Sequence, residues 1–377
     1  MTTTDIRVRG MAELIATVPL QLGYRPERSL VLIFLEGPDE GSPSARPAGR
    51  IRLICRMDLP EDAGAFEETL EAIHQIVWQH QPGLVGALSY EADEDATAIL
   101  AAVASTCVSL GSGVYQLARV RSTRWLALCP GQDDPGVWRE LPSTDRVPAA
   151  AELIWHGACT GPSREELTAV IRGGDATGQA SLAEEIEAYL TRFAAALPDD
   201  GSAGTGPRSG PAGKPQVADR FLERAALAWR RLLDPTPEGP AVTDLPPAVV
   251  AQGLVFLWDR GFRDALIAWV APGQLGPGLL PPDVLAAFVR HLPVSRLRDR
   301  ARLDRLVTLC GLVRDDCAAP ILTVTGQVAW AINQGTVANI AIERAREVDP
   351  DYHLAVLTND LLRAAIPPPP GPFVRGA

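Results

Sequence analysis

Six consecutive apolar residues, Leu30-Val-Leu-Ile-Phe-Leu35, leave this chain few choices. The run does not alternate with polar residues, so neither face is built for water. It is expected to be a strand buried on both faces, with further elements covering each side. The stretch before it, Gly23-Tyr-Arg-Pro-Glu-Arg-Ser29, reads as a corner between a helix and that strand. Met11, Leu14, Ile15, Val18 and Leu22 recur at helical spacing, Pro19 bends the helix, and Gly23 stops it, since glycine alone enters the left-handed conformation without steric cost. Pro26 then fixes a turn and Ser29 can bond locally.

Downstream, strands alternate with helices. Residues 36–50 are rich in Gly, Pro and Ser and read as a loop, followed by a strand over Ile51–Met57. A helix over Glu61–His80 has Phe66, Leu70, Ile73 and Val77 on one face. Leu84–Leu88 is a strand and Asp95–Leu110 an apolar helix. Val114–Val120 and Trp125–Cys129 are strands joined by the hairpin turn Arg121-Ser-Thr-Arg124. Strands separated by helices of this length predict βαβ units and an α/β fold with a mainly parallel sheet, a mixed sheet being the alternative, and flanking helices. Helices near 163–172 and 181–196 are expected to cover one side of that sheet.

The chain has 377 residues, long enough for two domains of roughly 100–200 residues each. The division expected is an α/β domain over 1–198, a flexible linker over 199–216, an all-α domain over 217–366 and a Pro-rich, disordered tail over 367–377. Helices in the second half are read near 217–233, 247–259, 262–270, 282–291, 297–313, 317–333 and 335–348. Ala338, Ile342, Ala345 and Pro350 have the spacing of the second helix of a tetratricopeptide (TPR) repeat, so TPR-like helical hairpins are expected, without a repeat array.

The net charge is −11, and all of it lies in the first half: residues 1–198 carry 16 basic and 27 acidic side chains, residues 199–377 carry 19 of each. Such a front half repels nucleic acid and anionic membrane, because phosphate binding is driven by Lys and Arg. Lys214 is the only lysine, a compositional bias that discourages reading each arginine as a phosphate clamp. The arginines between His291 and Arg305 (Arg296, Arg298, Arg300, Arg302, Arg305) are interspersed with Asp299 and Asp304 and lack stacking aromatics, so they read as a solvated helical face. No apolar run approaches the ~18 residues of a membrane span. Arg7 and Arg9 are followed by Glu13 and no small-residue cleavage site, so no signal peptide is read. Six dispersed cysteines (Cys55, Cys107, Cys129, Cys159, Cys310, Cys317) fit a cytoplasmic protein better than a disulfide scaffold.

Several stretches together resemble one family. Ala12 to Val31, Arg119-Val-Arg-Ser-Thr-Arg-Trp-Leu-Ala-Leu-Cys129, Gly161-Pro-Ser-Arg-Glu-Glu166 and Trp330 to Leu354, with Ala341-Ile-Glu-Arg-Ala345 and Asp349-Pro-Asp-Tyr352, are similar to the actinobacterial domain-of-unknown-function family 4192. The resemblance implies a bacterial cytoplasmic protein of unassigned activity. It also implies a cysteine pair shortly after the strand cysteine. Here Cys129 is followed by Pro-Gly-Gln-Asp-Asp-Pro-Gly, so a thiolate metal site of that kind lacks its partners.

For a site, open α/β sheets bind ligands outside the carboxyl ends of their strands. That rule points to Glu36, Asp58, Glu91 and Asp93, with Glu61, Asp62, Glu94 and Asp95 beside them, and such a rim could hold Mg²⁺ through hard oxygen ligands. The competing reading is helix capping by Asp58, Asp62, Asp93 and Asp95. Arg25 and Arg28 are partner-contact candidates, and their corner is placed at the opposite end of the strand from the acidic rim. His156, Cys159 and Cys129 form a thin start to a zinc site or a Cys-His pair. Phosphate-loop, dinucleotide and nucleophile-elbow motifs are missing: Gly111-Ser-Gly113 precedes a strand where a dinucleotide loop follows one. Trp258, Phe262, Trp269, Phe288 and Trp330 read mainly as core, some of them able to line a groove for a peptide helix. The leading expectation is a non-enzymatic protein-interaction or regulatory module whose helical domain docks a protein partner. The alternative is a small-molecule or nucleotide-binding enzyme using the acidic, Mg²⁺-dependent rim.

Overall fold

The apolar run becomes β1 (Ser29–Leu35), buried at every residue. In the computed structural model, which describes residues 8, 10–36, 51–128, 136–155, 158, 160–196, 215–236, 239–273, 277–293 and 300–368, β1 is joined by β2 (Ile51–Asp58), β3 (Leu84–Tyr90), β4 (Gly113–Arg121), β5 (Arg124–Leu128) and β6 (Arg139–Glu140). They form one six-stranded sheet in the order β2-β1-β3-β4-β5-β6.

The sheet is mixed and mostly antiparallel, which corrects the mainly parallel expectation. Among the described residues only β3 and β4 pair in parallel; β1 is antiparallel to both β2 and β3, and β5 to both β4 and β6. The helices α2 (Ala63–His80) and α3 (Thr97–Ser109) do cross between strands running the same way, β2 to β3 and β3 to β4. β1, however, sits between β2 and β3 and runs against them, so one of the two βαβ units is split.

Each face of β1 meets its own helical layer. Leu30, Leu32 and Phe34, with Cys55, Val85, Ala87 and Leu117, pack under Ile73, Ile76 and Val77 of α2 and Ile99, Leu100 and Val103 of α3. Val31, Ile33 and Leu35, with Leu88, Tyr90, Ala118, Val120 and Trp125, pack against Leu14, Ile15 and Val18 of α1 (Met11–Leu22). Full burial of each such aliphatic side chain contributes about 1.5–3 kcal/mol. Gly23 ends α1 at φ 81°, donating its N–H to the Pro19 carbonyl at 2.9 Å. Asp62 caps α2 by accepting the Ala65 N–H at 2.8 Å, as the capping reading expects. Asp62→Ala is expected to cost about 1 kcal/mol in a denaturant titration. α4 (Pro148–Trp155), which the sequence does not suggest, lies on α1 through Leu20, Val147, Ala149 and Ala150.

The chain divides into two units, Met1–Ser163 with Ala364–Ile366, and Arg164–Arg363 with Pro367–Ala377. The second unit contains α5 (Arg164–Arg172), α6 (Ala176–Ala196), α7 (Pro215–Leu232), α8 (Pro247–Leu254), α9 (Arg260–Val270), α10 (Pro282–His291), α11 (Arg300–Gly311), α12 (Asp315–Ala331), α13 (Gly335–Val348) and α14 (His353–Arg363). The helices read as covering the sheet, α5 and α6, instead put Leu167, Ile171, Leu182, Ile186 and Tyr189 into this unit's core with Trp229, Phe262 and Phe288. Ala338, Ile342 and Ala345 are buried on α13. Trp258 is exposed rather than core. The solvated-face reading also fails for two arginines of α11. Arg302 is buried, and Arg305 donates to the carbonyls of Leu232, Arg231 and Pro240, where it complements the negative C-terminal end of α7. Arg300 and Asp304 do form the exposed i,i+4 pair. Residues 199–214 of the expected linker, 369–377 of the expected tail, and Arg296 and Arg298 lie outside the described residues.

Candidate functional site

Strand direction decides what meets at the sheet edge. Ser29 lies opposite Asp58 on β2 and opposite Tyr90 on β3. The start of β1 therefore stands beside the ends of β2 and β3. The Arg25–Arg28 corner and the residues after β2, β3 and β4 share one edge, and the expectation that they occupy opposite ends is overturned. Glu36 is the residue at the far edge, 3.6 Å from Arg52, with both side chains exposed. An acidic rim joining all four expected carboxylates does not form, because antiparallel pairing of β1 carries Glu36 away from Asp58, Glu91 and Asp93.

Glu91 is the centre of the shared edge. Its side chain is 0% exposed. One carboxylate oxygen accepts from Arg119 Nε at 2.8 Å, from the Ser89 hydroxyl at 2.8 Å and from the Ala96 N–H at 3.1 Å. The other accepts from Arg119 Nη2 at 2.9 Å and from Arg121 Nε at 3.0 Å. Arg119 reaches on to Asp95 at 3.1 Å, and Arg121 donates to the Glu94 carbonyl at 2.7 Å. The Trp138 ring lies 5.9 Å from the Arg119 guanidinium and 5.4 Å from that of Arg121, within cation–π range. A buried carboxylate is tolerated only when its lone pairs are filled, and here they are.

The positions of these groups follow from the strand period. Arg119 and Arg121 are two apart on β4, so they project to the same face as Leu117, over which α2 and α3 lie. Beyond the reach of that apolar layer, the N-terminus of α3 offers unpaired N–H groups, a natural anion position. The chain fills it with its own acids: Glu91 takes the Ala96 N–H, and Asp95 takes the Thr97 N–H at 2.9 Å.

The corner is tied to this network. Arg28 has a left-handed backbone, φ 44°, unusual for a residue with a side chain. Its carbonyl accepts the Leu59 N–H at 2.9 Å, and its guanidinium bridges Glu94 at 2.8 Å and Glu61 at 3.1 Å. Arg25 donates to the Ser122 carbonyl at 2.9 Å, in the β4–β5 turn. Arg56 pairs with Asp58 at 2.6 Å and donates to the Ser29 hydroxyl at 2.8 Å. Asp58 is thus an ion-pair partner of Arg56, and Asp93 is exposed.

Hydrogen bonds from the Thr97 hydroxyl and N–H, aided by Arg119, hold Asp95 below its ordinary carboxylate range, and backbone hydrogen bonds followed by Arg28 do the same for Glu94. Burial tends to lower the Arg119 pKa, but Glu91 and Asp95 outweigh it and raise it. As pH falls, the unfolded chain takes up the protons of Glu94 and Asp95 before the folded one does. Their contribution is full above the unfolded values, about pH 4, and is lost as pH drops through the lower folded values. Combining Glu94→Gln with Asp95→Asn is expected to flatten the acid side of a stability–pH curve. An unchanged acid limb would contradict that.

The thiols are poor nucleophile candidates where they are described: burial pushes Cys55 and Cys310 up to about 12 and Cys107 up to about 11. Cys129, His156 and Cys159, the zinc and Cys-His candidates, lie outside the described residues. Among the described residues no group of three or more His, Cys, Asp or Glu side chains is arranged to hold a metal ion, and no helix is long and apolar enough to cross a membrane. The sequence reading missed Arg56, Arg119, Arg121 and Trp138. The available signal was Arg119-Val-Arg121 at the end of a largely apolar strand, since two like charges on one covered face require a buried counter-charge.

A family model described as a domain of unknown function, DUF4192, matches residues 12–369. Comparison with curated proteins and with solved structures returns no match in either case.

Proposed function

We propose, from the premise that the chain belongs to the DUF4192 family, that it is a non-enzymatic protein-interaction or regulatory module of the bacterial cytoplasm, and that its partner surface is the arginine edge of the first unit. One observation carries the reading: the carboxylate at the strand ends that a catalytic or Mg²⁺ site needs most, Glu91, is buried and bonded on both oxygens by Arg119, Arg121, Ser89 and Ala96. Asp58 and Glu94 are likewise paired with arginines. What faces solvent there is Arg25 and Arg28, the partly exposed Arg121 and Trp138, and Val137 at 79% exposure. Arginine and tryptophan on a rigid strand-end platform are the residue types that dominate protein interfaces. TPR-like pairing of α12 with α13 belongs to the same reading and supplies a second docking element.

The test is capture from a native lysate with the full chain and with Arg25→Glu as parallel baits. A partner retained by the parent and lost by the variant, with unchanged thermal midpoint, is expected. Equal capture by both, or stabilisation of the parent by a nucleotide or metabolite with Mg²⁺, would contradict the proposal.

A further inference from the structure

The first unit takes in three residues from far along the chain, Ala364–Ile366, which follow α14. They seat where α2 ends, at the edge of the sheet away from the arginines, where Leu35 of β1 lies opposite Leu84 of β3. His80, the last residue of α2, donates from Nε2 to the Ala364 carbonyl oxygen at 3.3 Å. Its ring also stands 6.1 Å from that of Phe34. Ala365 packs against the core that Leu30, Leu32 and Phe34 form with α2 and α3.

We infer that residues 364–366 are a releasable strap, which closes over the C-terminal end of α2 and opens without unfolding the first unit. The strap lies away from the arginine edge, and the inference does not rest on the partner reading above. The seat is defined by the His80 hydrogen bond and by the Ala365 methyl group in the apolar layer. Two features favour release. Ala365 holds φ 48°, a left-handed conformation in which any residue with a Cβ is strained, and opening relieves that strain. The strap then runs into Pro367 and Pro368, which have no N–H to bond to the surface beneath them. Opening frees the His80 ring and uncovers the apolar surface under Ala365. The chain's own segment thus decides whether that end of the α2–α3 layer meets solvent.

Carbethoxylation of His80 by diethyl pyrocarbonate, followed by mass spectrometry on the full chain, tests this. The exposed His74 on the same helix is the internal reference. In the parent chain His80 is expected to react more slowly than His74. Two substitutions at one position then push the strap in opposite directions. Ala365→Gly removes the strain of the docked form, partly offset by the greater freedom of glycine when released, and is expected to slow His80 about two- to fivefold. Ala365→Pro fixes φ near −65° and excludes the docked form, so His80 is expected to react within about twofold of His74, with the thermal midpoint of the chain unchanged. Equal reactivity of His80 and His74 in the parent, or the same His80 rate in both variants, would overturn the inference. A clear fall in the thermal midpoint with Ala365→Pro would also overturn it, by making the segment an integral part of the fold.

Discussion

Glu91→Gln is expected to destabilise the first unit by about 3–5 kcal/mol, the cost of breaking a buried ion pair from one side. The carboxylate is completely enclosed and is shared by two guanidinium groups, one of which, Arg119, has a side chain only 10% exposed. Glutamine keeps one accepting oxygen but presents an NH₂ to the other donors, so a guanidinium N–H faces N–H and a buried positive charge loses its counter-ion. Replacing the pair outright is a different experiment. Glu91→Leu with Arg119→Met removes both buried charges and is expected to cost less than the sum of the single changes, because neither partner is left behind. Urea titration of the full chain, with amide exchange to assign each transition to a unit, measures both. A loss below about 1 kcal/mol for Glu91→Gln would mean that the carboxylate is not a structural tie, and would return it to the set of groups available for chemistry.

The second large effect lies in the helical unit. α5 and α11 cross so closely that a Cβ on Gly311 would stand 2.2 Å from the Val170 carbonyl oxygen, and a Cβ on Gly173 would stand 2.0 Å from the Gly311 carbonyl oxygen. Both obstacles are backbone atoms, which side-chain rotation cannot clear. Gly173 also holds φ 69°, a left-handed conformation in which alanine is strained. Gly311→Ala and Gly173→Ala are each expected to cost about 3 kcal/mol, at the upper end for overpacking. By contrast Gly111→Ala meets open space and carries only the penalty of its φ of 81°. The same titration distinguishes them. Equal, small losses at all three positions would contradict the close crossing.

Much of the fold follows from local pattern. The unbroken apolar run predicts a doubly covered β1, the period of Phe66, Leu70, Ile73 and Val77 predicts α2, and Gly23 marks the end of α1. What pattern does not encode is which strand sits between which. Helices between β2 and β3 and between β3 and β4 fix that these strands run the same way, but the insertion of β1 between β2 and β3 is a long-range choice made by hydrogen bonding and burial. The Gly-, Pro- and Ser-rich composition of residues 36–50, which predicts no helix there, is the local hint that β1 and β2 are antiparallel neighbours. The direction of that one strand turns the site around: Asp58, Glu91 and Asp93 are legible as one edge, but local pattern places Arg25 and Arg28 at the opposite end, and it does not show Arg56 beside Asp58 or Arg119 and Arg121 beside Glu91. Arg119 and Arg121 escaped notice because a charged pair on a strand reads as solvent-facing until the covering helix is known.

The central claim is that the arginine edge docks a protein and does no chemistry on the acids behind it. Amide hydrogen exchange on the full chain, free and in complex with the partner it captures, tests this most directly. New protection at residues 24–28, 119–124 and 136–139 is the predicted result. Protection elsewhere with this edge unchanged, or protection around Asp58 and Asp93 on adding a nucleotide with Mg²⁺ in place of any protein, would contradict it.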